Sequence, residues 1–363
     1  MKIQSVETSI VRIPFTDGGR GEGLTPTPWR DLEILLVRVV DTDGNVGWGE
    51  AFGYFTVEAS QALIRRMIGP ATVDQDIEDI AAWNSQMQRR LALFGRYGVT
   101  LFALSGVDMA LWDLAARRKK LPLHCLLGQQ SRDSIPFYAS LVRYGDSKVV
   151  AQISRNAVAD GFVELKLHEI TLPEIEACRT AIGDGIPISV DVNCNWTVQF
   201  ARKAIPQLVR LGVSWLEEPI FPPEDFEALA GLRQLGLPIA AGENWSSAFQ
   251  FNSAIRAEAV DLLQPSVTKI GGLTEFVTVA ELAKDHAAPL LPHCPYFGPG
   301  FHASLHLAAV YDGIEQLEYL FVEPDAWLAP VRPLKSGTNF SVPDGPGLGF
   351  VPNQEVLSRY ADR

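Results

Sequence analysis

Three carboxylates recur at one interval, for Asp191, Glu217 and Glu243 are separated by 26 and 26 residues. Each closes a short apolar run, so each belongs at the end of a strand, and even spacing gathers the three ends in space. Clustered carboxylates repel one another severely unless a cation sits between them. Three oxygen ligands with room left for water and substrate suit Mg2+, a hard cation that keeps part of its hydration shell. Zinc is not indicated, because Cys125, Cys178, Cys194 and Cys294 are scattered and form no CxxC pair. Three separate salt-bridged carboxylates are the plainer alternative, and the regular spacing speaks against them.

Further ionisable residues flank this set. The stretch Gly161–His168 alternates apolar Val163, Leu165 and Leu167 with Glu164, Lys166 and His168. Such alternation marks a strand with one apolar face. Three ionisable groups on the other face are costly unless they meet a polar cavity, one another or a metal. A solvent-facing edge strand would also explain the pattern. A lysine and a histidine before the carboxylates, and His293 after them, suggest proton transfer on two faces of a bound substrate.

The elements that must position these residues form a repeat. From Ser134 onward, eight apolar runs alternate with helical stretches: 135–138, 162–168, 186–191, 213–217, 237–243, 261–266, 289–293 and 316–320. Their polar termini Lys166, Asp191, Glu217, Glu243, Ser266, His293 and Glu318 lie 25, 26, 26, 23, 27 and 25 residues apart. A strand–loop–helix–loop unit has about that length, and eight such units close as a parallel barrel with its site at the carboxyl ends of the strands. That is where the polar residues stand.

The first 125 residues read differently, as strands followed by helices. Residues 1–14 and 32–50 are strand-like, and Asp43-Gly44 supplies a hairpin turn. Phe15–Arg30 between them is rich in glycine and lacks periodicity, which suggests a lid carrying Arg20 and Arg30. Helices are expected over 56–68, 76–91 and 100–119, the last with Leu101, Leu104, Val107, Leu111 and Leu114 in one stripe. After Leu320 the chain becomes rich in proline and glycine and reads as a return segment packed on the first domain.

A net charge of −12 with no compensating basic run argues against nucleic acid. No leader pattern and no long uninterrupted apolar run supports secretion or a membrane, so a reduced cytoplasmic protein is the simplest reading.

The motifs, taken in order, resemble the enolase superfamily, and within it the mandelate racemase branch. They are Ala103-Leu-Ser-Gly-Val-Asp108 with Ala110-Leu-Trp-Asp113, Lys166-x-His168, Asp191-x-Asn193, Glu217-Glu-Pro219, Gly242-Glu-Asn244, Lys269-Ile-Gly-Gly272, Pro292-His293 and Leu317-Glu-Tyr-Leu320. The resemblance implies an α/β protein, a modified TIM barrel (β/α)7β with an α+β capping domain. The cap is expected from 1–125, the barrel from 126–320, and a segment returning to the cap from 321–363. It implies Mg2+-assisted removal of the proton α to a carboxylate, with Asp191, Glu217 and Glu243 as metal ligands. Lys166 then contacts the substrate carboxylate, and His168 stands where the family usually has a base lysine. His293 serves the opposite face, a protonated Glu318 supports the enediolate oxygen, and Tyr138 and Asn193 contact substrate, with Arg20 as a lid contact.

Two departures stand out. Histidine replaces the base lysine, and imidazole is suited to proton transfer near neutral pH. Ser266 stands where the branch has an aspartate behind its catalytic histidine, and it is expected to accept a hydrogen bond from His293; Lys269 is read as structural. Dehydration of a sugar acid is the favoured outcome, racemisation or epimerisation of a 2-hydroxy acid the alternative, and a non-catalytic ligand-binding barrel a third. A small-molecule carboxylate is the expected partner, the protein a homo-oligomer, and 15–30 with 52–55 the seat of specificity.

Overall fold

The computed structural model describes residues 1–19, 28–329 and 338–362. Arg20, a lid residue by sequence, lies outside them. Strands β1 (Ile3–Thr16), β2 (Asp31–Asp41) and β3 (Val46–Ala51) form an antiparallel meander. Gly44, with φ at 83°, makes the β2–β3 turn that the Asp-Gly pair foretells. One face of this sheet carries the helix Val99–Arg118. Close approach is possible because Gly47 and Gly49 lack side chains: a Cβ on either would lie 2.1 Å from a carbonyl oxygen of that helix. The four leucines and the valine of the expected stripe are buried, but so are Ala103, Met109 and Ala110, since the helix also meets the barrel helix Leu273–Asp285. Among the described residues it alone has the length and hydropathy to cross a membrane, and it is a buried core helix.

The helix expected from residue 76 starts at Ile80, because Asp79 caps it by accepting from the backbone N–H of Ala82 at 3.0 Å.

Seven parallel strands follow: β4 (Ser134–Leu141), β5 (Leu165–Leu167), β6 (Ile188–Asp191), β7 (Val213–Glu217), β8 (Ile239–Ala241), β9 (Leu262–Leu263) and β10 (Leu317–Leu320). The run 289–293 supplies the remaining position through parallel bridges of Leu290 to Leu263 and Ile314. Pairing of β10 with β4 closes the barrel. Inside it Tyr138, Trp215, Ala240 and Leu291 form a small core of their own.

Glu323–Pro324 pairs with β1, and a helix unforeseen in the sequence, Gln354–Tyr360, packs on the same strand. Three buried cap carboxylates fasten the parts together. Glu50 accepts from Gly300 N–H at 2.8 Å, Asp108 from Thr274 N–H at 3.0 Å, and Asp113 from Leu348 N–H at 2.6 Å. Two of these donors open barrel helices, so the cap neutralises free helix N-termini across the domain boundary.

Candidate active site

Asp191 and Glu217 are cross-strand neighbours at the ends of β6 and β7, and Glu243 follows β8. Ligand atoms from the three lie within 4.8 Å of one another. Asn193 N–H donates to Asp191 Oδ1 at 2.8 Å, which fixes that carboxylate and leaves Oδ2 free. Asp191 Oδ2 and Glu217 Oε1 are buried without a hydrogen-bond partner. Orphaned carboxylate oxygens facing one another are what a cation would satisfy. Burial and the charge of Asp191 push Glu217 well above the usual carboxylate range, another sign of missing positive charge. The donor set therefore fits a hard divalent ion.

Lys166 is fully buried beneath this cluster, its Nζ 2.8 Å from Glu318, 3.0 Å from Glu217 and 3.6 Å from Asp191. Glu318 differs from its expected protonated state. Burial alone would raise its pKa, but Lys166 overrides that and takes it down to about 2. Ser140 Oγ at 2.6 Å and Cys294 N–H at 3.0 Å also donate to it, so it is held as a carboxylate. Tyr138 does not reach the cavity: its ring packs against Trp215 inside the barrel and has no exposed surface.

The two histidines flank the triad from opposite ends. His168 Nδ1 lies 2.5 Å from the Leu141 carbonyl, which can only accept, so Nδ1 carries a proton. Its Nε2 comes 3.2 Å from Asp191 Oδ2 without forming a hydrogen bond. In the neutral ring that nitrogen keeps its lone pair. At the other end His293 Nε2 donates to Glu243 Oε2 at 2.9 Å, so here the proton sits on Nε2. Burial opposes the Glu243 charge, yet His293 and Lys269 hold it well below the usual range.

The partner of His293 Nδ1 is not Ser266, as expected, but the hydroxyl of Tyr296 at 3.1 Å. Ser266 Oγ bonds that hydroxyl in turn. The serine side chain is too short to reach the imidazole, and the tyrosine fills the gap. Lys269 also departs from its structural reading. It lines the cavity, bonds Asn244 Oδ1 at 3.1 Å and lies 4.9 Å from the centre of the Phe52 ring. Tyr296 was visible in sequence only as a neighbour of the Pro292-His293 motif, whereas Lys269 opens the motif Lys269-Ile-Gly-Gly272. Arg143, which no motif singled out, bonds the His168 carbonyl at 2.8 Å and Asn193 Oδ1 at 3.1 Å.

The cavity above these groups is about 260 Å³. His168, Asn193, Glu243, Asn244, Lys269, His293 and Glu318 line one side, and Trp29, Phe52, Tyr54 and Phe55 the other. Arg30 is exposed and is not in the lining.

Comparison with known proteins agrees with this geometry. Residues 26–128 match the mandelate racemase / muconate lactonizing enzyme N-terminal domain, and 148–356 the enolase C-terminal domain-like family. The chain belongs to the enolase superfamily, in the mandelate racemase / muconate lactonizing enzyme family. A 3,6-anhydro-alpha-L-galactonate cycloisomerase of Streptomyces coelicolor is 32% identical to this superfamily member, over 99% of each chain. Arabinonate dehydratase of Saccharolobus solfataricus is 29% identical, over 93% of this chain and 92% of its own. A racemase from Streptomyces coelicolor, solved with bound magnesium, superposes with a TM-score of 0.86 at 30% identity, covering 99% of this chain and 100% of that one. This chain is thus an enzyme of the superfamily, of dehydratase or isomerase type.

Proposed function

We propose that the enzyme removes the proton α to the carboxylate of a sugar acid and expels an oxygen substituent from the β carbon, dehydration being the plain form. The observation that carries this reading is the unlike setting of the two imidazoles: His168 donates from Nδ1 to the Leu141 carbonyl and, as a neutral ring, presents the lone pair of Nε2, whereas His293 directs Nε2 at Glu243 as an N–H. One base and one acid suit elimination, in which His168 takes the α-proton and His293 gives a proton to the departing oxygen. A racemase needs two groups that exchange these roles with comparable ease, and the unlike partners of the two rings work against that. Asp191, Glu217 and Glu243 would hold Mg2+, which supplies positive charge against the charge that develops on the substrate's carboxylate oxygens. Lys166 adds a fixed cation below the same point, and Asn193 and Lys269 offer a donor and a charge to the substrate's polar edge. A dehydratase and a cycloisomerase both occur among the relatives, and loss of a β-oxygen is compatible with either outcome.

The test is incubation of sugar acids with enzyme and Mg2+ in D2O, followed by NMR. Formation of a 2-keto-3-deoxy acid with chelator-sensitive kinetics supports the reading. Rapid interconversion of α-epimers with no keto acid overturns it in favour of racemisation.

A further inference from the structure

Arg143 belongs to no motif, yet its guanidinium joins two residues of the site. Strand β4 pairs with β5 as far as Leu141 opposite Leu167, so His168 stands just past the last paired position. Side-chain bonds continue the pairing there. His168 Nδ1 donates to the Leu141 carbonyl, and Arg143 Nε donates back to the His168 carbonyl at 2.8 Å. Glu169 closes the clasp from the other side, accepting from Tyr144 N–H at 2.7 Å and Gly145 N–H at 3.1 Å. The segment after β4 thus grips His168 by its ring, its carbonyl and the residue that follows it.

A second arm of Arg143 reaches the next strand. Nη2 donates to Asn193 Oδ1 at 3.1 Å, and Asn193 N–H donates in turn to Asp191 Oδ1 at 2.8 Å. Nε and Nη2 share one edge of the planar guanidinium and donate side by side. They meet the His168 carbonyl and Asn193 Oδ1 as that edge would meet the two oxygens of a carboxylate. Among the described residues these neutral oxygens are its hydrogen-bond partners, and no carboxylate pairs with it. Arg143 is nevertheless half-buried, and burial takes its pKa below the usual range against the pull of Asp191 and Glu169. Withdrawing a guanidinium from water without an ion pair is costly, and what it secures here is geometry.

Resting on the proton removal proposed above, we infer that Arg143 is a positioning residue for the base, its fork setting His168 against the Asp191 loop. The spacing matters to the chemistry. The α carbon is one bond from the substrate carboxylate bound at the triad, so the base must stand at a fixed step from the triad. His168 Nε2 lies 3.2 Å from Asp191 Oδ2, and Arg143 ties the backbone of the one to the loop of the other. Arg143 is not in the cavity lining, so it acts through His168 and Asn193.

The experiment compares wild type, Arg143→Ala and Arg143→Lys with Mg2+ in D2O, following α-deuterium exchange and keto acid by NMR. The probe is the hexonate or hexarate that wild type exchanges fastest. Circular dichroism checks the fold, which keeps the Leu141 and Glu169 bonds in both variants. Arg143→Ala is expected to lower exchange and kcat together by about a hundredfold, with KM changed less than about threefold. Arg143→Lys keeps the charge, but one ammonium cannot reproduce the planar fork, and it should recover less than about tenfold of that loss. Millimolar guanidinium ion should restore Arg143→Ala by at least about tenfold, and ammonium ion should not. Exchange at the wild-type rate by folded Arg143→Ala overturns the inference and leaves the elimination standing. A raised KM with unchanged kcat also overturns it, making Arg143 a substrate contact, and so does equal rescue by ammonium. Should Arg143→Ala not fold, exchange at the wild-type rate by Arg143→Lys overturns it. Absence of α-deuterium exchange and keto acid with wild type and every acid overturns the elimination, and the positioning role with it.

Discussion

The hydroxyl of Tyr296 lies 3.1 Å from Nδ1 of His293 and bonds Ser266 on its other side. With the ring neutral and Nε2 donating to Glu243, Nδ1 accepts from Tyr296, and Tyr296 then accepts from Ser266. The chain of donors runs Ser266, Tyr296, His293, Glu243. A neutral hydroxyl thus orients the imidazole where a carboxylate would also have charged it. Tyr296→Phe keeps the ring that packs on His293 and deletes only the hydroxyl. We expect kcat to fall about tenfold, the worth of one hydrogen bond, while α-deuterium exchange through His168 persists. Comparison of exchange and product formation by NMR checks it; equal loss of both would remove Tyr296 from this role. Ser266→Asp should act through Tyr296, with His293 Nδ1 still bonded to the tyrosine hydroxyl and not to the new carboxylate.

Glu217 has a buried, unpartnered Oε1 and sits between Asp191 and Lys166. Glu217→Gln keeps the shape and deletes the charge. Titration calorimetry should show Mg2+ affinity lowered at least about tenfold, with turnover lost and the folded state retained by circular dichroism. Wild-type enzyme treated with EDTA should lose activity and regain it with Mg2+ or Mn2+. Full activity in metal-free enzyme would exclude the triad as a cation site.

Lys269 is 6% exposed and shares its ammonium between Asn244 at 3.1 Å and the Phe52 ring. Lys269→Met retains most of the side-chain volume. A binding role predicts KM raised about tenfold or more with a smaller change in kcat, since a charged hydrogen bond is worth about 1.5–3 kcal/mol. A lowered Tm with unchanged KM would instead mark the lysine as structural.

Buried histidines set an acid limit on stability. Burial lowers His302 to about 4 and His306 to about 3, whereas the unfolded chain protonates both near 6.5. Between those values the unfolded state binds more protons, so stability is full above about pH 6.5 and is lost as pH falls through the window. Each ring contributes a slope of about 1.4 kcal/mol per pH unit there. Burial raises Glu50 and Asp108 to about 7 and Asp113 to about 6, and these groups gain stability as pH falls over the same range, enough to offset the loss from the two rings. His302→Gln should therefore tilt the dependence of Tm on pH between about 6.5 and 4.5 toward greater stability in acid than the wild type shows, measured by calorimetry. An unchanged slope would mean that His302 protonates without cost.

Period and polarity in the sequence were enough for the barrel, its site-bearing end and the carboxylate triad. Strand ends in a βα repeat must meet at one rim, so residues spaced by one unit become neighbours whatever the loops do. What escaped the sequence were the contacts between side chains. Tyr296 stands three residues from His293, yet only the turn after the seventh strand position aims its hydroxyl at Nδ1. Glu318 looked free to be protonated until the fold set it 2.8 Å from Lys166, where Coulomb attraction at full burial outweighs desolvation. Lys269 became a cavity residue because Gly271 and Gly272, both at positive φ, turn the chain just beyond it and Asn244 holds its ammonium. The aromatic side of the cavity exists only because the cap closes over the barrel, bringing residues 29 and 52–55 above strands that begin at 134. Strand order follows from chain periodicity, but hydrogen-bond partners and charge states follow from distances of about 3 Å, and only the packed structure sets those.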